Sequence, residues 1–240
     1  LPGESLSGFF NVEGRVVSKT KVEKVQILAG TEVLDEVSVN GRGYFKTSEA
    51  LGPGKLKTGS HMIKVRTLTG ASQALASEDR PVSYSEEGPW VFIAERTSGD
   101  YLRNRPFVNG KTGWNAWPLS DEEKQALAKD ELARREHEAL LEGRRLSKVE
   151  ISFDNGKTFA PAQVDNSSWK YRIESLEMPD GPVYMVVRST YMNNTSTVAR
   201  QMLTLDQSPP ELALLNPEEG GRFNEKLDLS GMAGDNYSLA

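Results

Sequence analysis

Two histidines, 34 carboxylates and no cysteine set the chemistry open to this 240-residue chain. A serine or threonine nucleophile needs a base within hydrogen-bond reach, most often an imidazole. His61 falls in the alternating run Gly59-Ser60-His61-Met62-Ile63-Lys64-Val65-Arg66 and reads as a strand-packing residue, while His137 falls in a highly charged stretch and reads as solvated. Neither has a second imidazole at ligand spacing, so a histidine metal site is not expected, and the lack of cysteine excludes thiolate sites. Acidic groups cluster as Asp121-Glu122-Glu123 and Glu218-Glu219, the pattern of a solvated face rather than of a paired acid and base. Calcium wants about six to eight oxygens. The connecting segments Ser85-Glu86-Glu87-Gly88-Pro89 and Asp206-Gln207-Ser208-Pro209-Pro210 are too poor in acids for that, and their prolines stiffen them instead. Gly52-Pro53-Gly54-Lys55 lacks the spacing of a phosphate loop. No cofactor, no metal and no enzymatic activity are expected within these residues.

One segment has the look of a catalytic motif. Ser152-Phe153-Asp154-Asn155-Gly156-Lys157-Thr158-Phe159 carries Ser, Asp, Gly and Thr at alternate positions, with an aromatic directly after the Thr. It resembles the Asp-box hairpin repeated in sialidase-like propellers, where the Asp and hydroxyl groups bond the backbone of their own turn. A propeller needs several copies and this chain has one, so the hairpin reads as structural.

Composition narrows the class further. Charged residues at 26% and apolar residues at 37% suit a folded globular chain of about two units. Lys plus Arg number 29 against 34 Asp plus Glu, a net charge of −5, so no basic field exists to hold nucleic acid. No apolar run reaches the roughly 18 to 20 residues of a membrane span, so no membrane insertion is expected. The opening Leu1-Pro2-Gly3 carries no signal-peptide pattern.

The strongest organising signal is a repeat. Gly3 and Gly14, Gly99 and Gly110, and Gly220 and Gly231 each stand eleven residues apart. Each pair has an apolar residue three places after the first glycine (Leu6, Leu102, Phe223) and two before the second (Val12, Val108, Leu229). Pro89 and Pro210 lie ten residues before Gly99 and Gly220, with Ile93 and Leu214 at equivalent places between. Downstream, Lys24-Val25-Gln26-Ile27 matches Lys148-Val149-Glu150-Ile151, and Gly59 to Thr67 matches Gly181 to Ser189. The first two copies are 96 residues apart at Gly14 and Gly110 but 124 apart at Lys24 and Lys148, so the second holds about 28 extra residues. The third copy stops nine residues past its glycine, which reads as a fragment of a longer array.

Within each copy, Val25, Ile27, Val37, Val39, Ile63, Val65, Tyr184 and Val186 alternate with polar neighbours, the period of half-buried strands. Ala29-Gly30, Asn40-Gly41, Pro53-Gly54, Asn155-Gly156 and Asp180-Gly181 supply turns between them. About seven short strands per unit imply an antiparallel β-sandwich. Three stretches, Val12-Glu13-Gly14, Val149 to Gly156 and Trp169-Lys170-Tyr171, together with Gly59-Ser60-His61-Met62-Ile63-Lys64-Val65-Arg66, resemble the immunoglobulin-like or fibronectin-like repeats of bacterial surface and secreted proteins. The likeness spans nearly all of the chain outside residues 112–146, and Val183 departs from it where a histidine is usual. It implies a non-catalytic, extracytoplasmic module: cell surface, periplasm or secreted.

The extra residues predict one helix at about 119–145. Ser120-Asp121-Glu122-Glu123 forms a capping box, and Gln125 to Glu142 holds no Gly, Pro or β-branched residue. Gly143 with Arg144-Arg145 supplies a stop. Ala126, Ala133 and Leu140 recur every seven residues with Leu127 and Leu141 beside them, a seam suited to packing on the chain's own sheet or on a partner; Asp130–Arg134 and Glu131–Arg135 pairs occupy the polar face. Trp114 and Trp117 precede it as anchors.

The expected architecture is therefore all-β, two tandem immunoglobulin-like sandwiches at 1–93 and 94–208, the second with a helical insertion, and the start of a third at 209–240. The expected role is a structural and interaction module of a stalk or adhesin-like protein. Trp114, Trp117, Leu127, Arg134 and Leu141 are its candidate binding residues, for a protein partner or neighbouring repeats of the same chain. The competing class is an accessory region of a carbohydrate-active enzyme, which a solvent-exposed row of Trp114, Trp117 and Trp169 would favour through glycan stacking.

Overall fold

The computed structural model describes residues 4–94, 96–103, 107–173, 179–217, 220–221 and 226–235. Leu1-Pro2-Gly3, Phe223 and Glu218-Glu219 lie outside them. In chain order the strands are β1 (Glu4–Ser7), β2 (Glu13–Arg15), β3 (Lys24–Ala29), β4 (Glu32–Ser38), β5 (Tyr44–Lys46), β6 (Gly59–Leu68), β7 (Ala74–Ser85), β8 (Gly88–Ala94), β9 (Tyr101–Leu102) and β10 (Phe107–Asn115). Helices α1 (Asp121–Lys129) and α2 (Glu131–Gly143) come next, then β11 (Leu146–Ser152), β12 (Ala160–Pro161), β13 (Gln163–Asp165), β14 (Ser168–Arg172), β15 (Gly181–Tyr191), β16 (Ser196–Leu205), β17 (Glu211–Asn216) and β18 (Ser230–Gly234).

On β3 the alternation seen in sequence becomes burial; on β15 the buried phase is Val183, Met185 and Val187, and Tyr184, read with Val186 as the inward phase, is exposed. Val25 and Ile27 of β3 are fully buried, while Lys24 and Gln26 on the opposite face bond Glu36 across β4 at 2.7 and 2.9 Å. A sheet of order β1-β7-β6-β3-β4 and the β2–β5 pair enclose one core, which includes Val25, Ile27, Ile63, Tyr84 and Phe45. Sheets of order β13-β14-β10-β8 and β12-β11-β15-β16-β9 enclose a second, with Val91, Ile93, Val108 and Trp169 on one side and Val149, Ile151, Val187 and Leu203 on the other. In both, an opening strand pairs parallel with the last long strand, β1 with β7 and β9 with β16. Sheet packed on sheet, with helix confined to one connection, is an all-β arrangement consistent with an immunoglobulin-like fold.

The repeated glycines sit at matching places. Gly14 on β2 pairs with Phe45, and Gly110 on β10 pairs with Trp169 of β14 and Ile93 of β8. A Cβ on Gly110 would stand 2.0 Å from the Phe92 carbonyl oxygen and 2.5 Å from the Trp169 ring, so only glycine lets the three strands close up.

Residues 93 and 94, expected as the unit boundary, lie inside β8. Val91 and Ile93 point into the second core, and β8 bonds β10 from Gly88 to Ala94, so the strand packs with the downstream sheets. Only Glu86 and Glu87 separate β7 from β8. Beyond the second core, β17 and β18 form a hairpin, and Arg103 bridges Asp206 and, at 3.9 Å, Asp235 beside it. No helix among the described residues is long and apolar enough to cross a membrane.

Candidate functional site

Three places carry enough polar or exposed aromatic chemistry to be weighed: the Asp154 hairpin, the helical segment, and the contact between the two cores.

In the hairpin, Ser152 Oγ donates to Asp154 Oδ1 at 2.6 Å and accepts from the Gly156 amide at 2.8 Å. Asp154 also accepts from the Lys157 and Thr158 amides and from Thr158 Oγ1 at 2.7 Å. Asn155 and Gly156 take the positive φ values, 61° and 87°, that the tight turn needs. The Ser152 hydroxyl, then the Thr158 bonds, hold the Asp154 carboxyl well below the usual carboxylate range. Every strong bond this carboxylate makes is to its own turn, as a structural hairpin requires.

The segment expected as one helix is two. Asp130 breaks it, with φ −114° and ψ 108°, and its side chain accepts from the Leu132 and Ala133 amides as the N-cap of α2. Arg134 consequently pairs with Glu131 at 3.1 Å and Glu138 at 3.8 Å rather than with Asp130; Glu131 also meets Arg135 at 2.9 Å. The capping box at Ser120 and Glu123 is formed. Gly143 is the last helical residue, not a left-handed cap. A Cβ there would come within 3.3 Å of Asn193, whose amide donates to the Gly143 carbonyl at 3.0 Å, so glycine allows the helix end to close on the β15–β16 turn. Neither helix buries any side chain. The Ala126, Ala133, Leu140 seam therefore does not pack into a sheet. Leu127 is half-buried, and Leu132, Leu140 and Leu141 are exposed.

The tryptophans do not form a row. Trp169 is buried over Gly110. Trp114 is half-buried, edge-on to Tyr191 at 5.1 Å with the Arg144 guanidinium 5.6 Å above its ring. Trp117 alone is exposed, its amide donating to Glu87 at 2.9 Å. Without coplanar exposed rings this set offers no sugar platform. A second aromatic group, unread in the sequence, is Phe9, Trp90 and Phe92: Trp90 stacks on Phe92 at 5.6 Å and meets Phe9 edge-on at 5.1 Å. Trp90 also covers Gly8 and Gly113, so it packs the two cores together.

The same two cores also meet through polar contacts. The half-buried Lys46 ammonium at the end of β5 donates to the carbonyls of Ile93 and Arg96. Glu13 on β2 accepts from Ser98 Oγ at 2.7 Å and from Gln201 Nε2 at 2.8 Å, and Gln201 also reaches the Arg96 carbonyl at 2.9 Å. Arg42 donates to the Gly99 carbonyl at 2.6 Å and lies 4.4 Å over the Tyr101 ring. Gly99, φ 82°, sits against the Tyr44 ring where any Cβ would be 2.3 Å from it. Burial pushes the Lys46 ammonium below its usual value, with Glu13 and Asp100 opposing the shift. His61 is half-buried, its Nε2 2.6 Å from the Lys57 carbonyl and its ring edge-on to Tyr84. Among the described residues no cluster of three His, Asp or Glu side chains could hold a metal ion.

No family model matches the chain, and no curated protein matches it. Many solved structures are loosely similar. The fibronectin(III)-like modules of Clostridium thermocellum CbhA share 16% identity over 86% of this chain and 91% of theirs, with a TM-score of 0.30. A tetra-tandem repeat from the extending region of a large adhesion protein shares 13% over 85% of this chain and 47% of its own, TM-score 0.29. A putative membrane-anchored protein of Corynebacterium diphtheriae shares 12% over 87% and 58%, TM-score 0.29. At TM-scores near 0.3 these likenesses transfer no role to this chain.

Proposed function

We propose that the chain is a non-catalytic structural and interaction module, part of a tandem immunoglobulin-like stalk or adhesin-like protein outside the cytoplasm. Its units run to about residue 85, from about 88 to 208, and from 209 onward, and the Asp121–Gly143 helical pair, inserted in the second unit, is its protein-binding surface. The observation that carries this reading is the contact between the cores. A stalk must hold successive units at a fixed angle. Here Lys46, Glu13, Arg42 and Gln201 bond across the junction, and Phe9, Trp90 and Phe92 pack across it as well. Donors bound to backbone carbonyls fix position more tightly than exposed ion pairs do. The helical pair suits a partner because both of its ends are tied down, at Trp117 and Gly143, while its leucines stay in water.

Small-angle scattering of the intact chain should give one narrow distance distribution, and the Lys46→Ala, Gln201→Ala double variant should broaden it. A broad distribution already in the intact protein, unchanged by the variant, overturns the stalk reading. Replacing residues 119–145 by a short loop should leave this scattering geometry intact while abolishing any association seen by sedimentation.

A further inference from the structure

The dipeptide Asn-Gly occurs three times, at Asn40-Gly41, Asn109-Gly110 and Asn155-Gly156. It carries its own chemistry: the glycine amide nitrogen, unhindered by a side chain, can attack the preceding asparagine's side-chain carbonyl carbon and close a cyclic imide. Copies of one dipeptide start equal, so the fold decides which of them reacts.

Two copies are held shut. Gly110 is buried in mid-sheet between Trp169 of β14 and Ile93 of β8, with the Phe92 carbonyl crowding it, so ring closure there would have to part three strands. Gly156 lies in the Asp154 hairpin, but its nitrogen donates to Ser152 Oγ at 2.8 Å and is committed. The Asn155 amide also donates to the Tyr184 carbonyl at 3.1 Å, which pins that turn to β15.

At Asn40 both halves of the reaction are prepared. Asn40 and Gly41 are exposed, and nothing lies within 4 Å of where a Cβ on Gly41 would be. The Gly41 amide donates no hydrogen bond among the described residues. The Asn40 side-chain oxygen accepts from two main-chain amides, Arg42 at 3.0 Å and Tyr44 at 2.9 Å. Donors at that distance stabilise a carbonyl oxygen as it gains negative charge during addition. The turn keeps them there, because the Asn40 amide bonds the Tyr44 carbonyl and the Gly43 amide bonds the Asn40 carbonyl, each at 2.9 Å.

We propose that Asn40 is a self-modification site, a slow chemical clock in the turn that clamps the junction. The Gly41 nitrogen loses its proton to hydroxide and bonds to Asn40 Cγ; the Cγ–Nδ2 bond breaks, and ammonia leaves with a proton taken from water. Water then opens the imide at either carbonyl carbon, leaving an aspartate or an isoaspartate at position 40. Arg42 donates to the Gly99 carbonyl at 2.6 Å and covers the Tyr101 ring, and Tyr44 is the ring against which Gly99 fits. An isoaspartate routes the main chain through the former side chain, adding a methylene just before these two residues, so the modified fraction loosens the junction. That consequence rests on the stalk reading, whereas the chemistry at position 40 does not.

The test incubates the intact chain at mildly alkaline pH, natively and in denaturant, and follows the three positions by mass spectrometry of proteolytic peptides. In the native chain, loss at position 40 should run at least about tenfold faster than at 155, since a bond on the nucleophile and bonds to the oxygen are each worth severalfold in rate. Position 109 should stay intact, and in denaturant the three rates should draw together. Ser152→Ala, which frees the Gly156 amide, should speed position 155 and leave 40 unchanged. Gly41→Ala puts a methyl group into open space at a residue without positive φ, so it keeps the turn and should slow position 40 severalfold. The aged chain, with isoaspartate at 40 verified by fragmentation, should give a broader scattering distance distribution than equally aged Gly41→Ala. Loss at 40 no faster than at 155, or the same spread of rates in denaturant, overturns the site. A narrow distribution in the aged chain overturns the clock and leaves the stalk reading standing; one already broad before ageing removes the stalk reading and the clock together and leaves the site.

Discussion

Replacing Gly110 by alanine separates steric need from backbone freedom, because this glycine does not have a positive φ. On conformational grounds alone alanine in a strand should help by roughly 0.5 to 1 kcal/mol. The surroundings reverse the sign: the new Cβ would lie 2.0 Å from the Phe92 carbonyl oxygen and 2.5 Å from the Trp169 ring. Ordinary contact needs more than an ångström beyond the first figure, so β8 or β10 must move and their ladder distort. Overpacking of side chains costs about 1 to 3 kcal/mol, and a backbone obstacle that cannot rotate away belongs at or above the upper end. Gly14→Ala meets only the edge of the Phe45 ring, at 2.9 Å, and should cost nearer the lower end. The two sites therefore differ in rescue. Phe45→Leu should recover part of the Gly14→Ala loss, a coupling of about 1 kcal/mol, whereas Trp169→Phe should recover little of the Gly110→Ala loss because the Phe92 carbonyl remains. Denaturant unfolding resolves the cores, since no tryptophan precedes Trp90. In a Trp90→Phe background, tryptophan emission follows the second unit alone and far-ultraviolet dichroism follows both, each transition being fitted separately. A loss under about 1 kcal/mol for Gly110→Ala, or full rescue by Trp169→Phe, would refute the close-approach argument.

Three further outcomes are expected. Burial lowers the Lys46 pKa below its ordinary 10.5, so the folded chain gives up this proton first and stability from this group rises with pH between the lowered value and 10.5; Lys46→Met should remove that slope in unfolding free energies measured from pH 8 upward, and parallel slopes would count against it. Asp154 works in the opposite sense: its pKa is depressed, chiefly by Ser152, so its stabilisation is complete above the ordinary 3.8 and is lost as pH falls below that, and Asp154→Asn should flatten the acid dependence of the tryptophan-detected transition. Asp130→Ala removes the two bonds that start α2, and because the surrounding residues are good helix formers the segment should become one helix, seen as helical carbon shifts at 129–131; a persistent break would show that tertiary contacts hold it.

Features carried by local spacing were legible in the sequence. The alternation of β3, the capping box at Ser120 and the closed hairpin at Asp154 all depend on residues within a few positions of one another. The glycine repeat was legible as a repeat, and the structure supplies its cause in the aromatic ring and the neighbouring carbonyl that crowd Gly110. One reading failed where one local preference competed with another. Asp130 was counted as a helical ion-pair partner, yet a carboxylate that can cap two amides two and three residues ahead offers the backbone a way out of the helix. The 93/94 boundary followed the end of a strand run, although Pro89 and Ile93 had already matched Pro210 and Leu214 as the lead-in to the next unit, which is how β8 behaves.

The junction was illegible for a different reason. The connecting segments were read as stiffened by proline, and at Pro89 the ring does sit in a strand, with its carbonyl accepting from Ser7 Oγ at 2.6 Å. Most of the bonds that hold the cores, however, join residues far apart in sequence: Glu13 to Gln201, Lys46 to Ile93, Arg42 to Gly99. Nothing in the types or spacing of these residues distinguishes them from solvated surface charges, because their partners are backbone carbonyls or lie in another sheet. Lys46 is the clearest instance. In sequence it is one polar residue in the alternation of β5; in the fold that same alternation aims it away from the first core and onto the backbone that enters the second. The pleat that hides Phe45 in one unit thereby places its neighbour to grip the next, so strand periodicity and unit-to-unit stiffness follow from the same two residues.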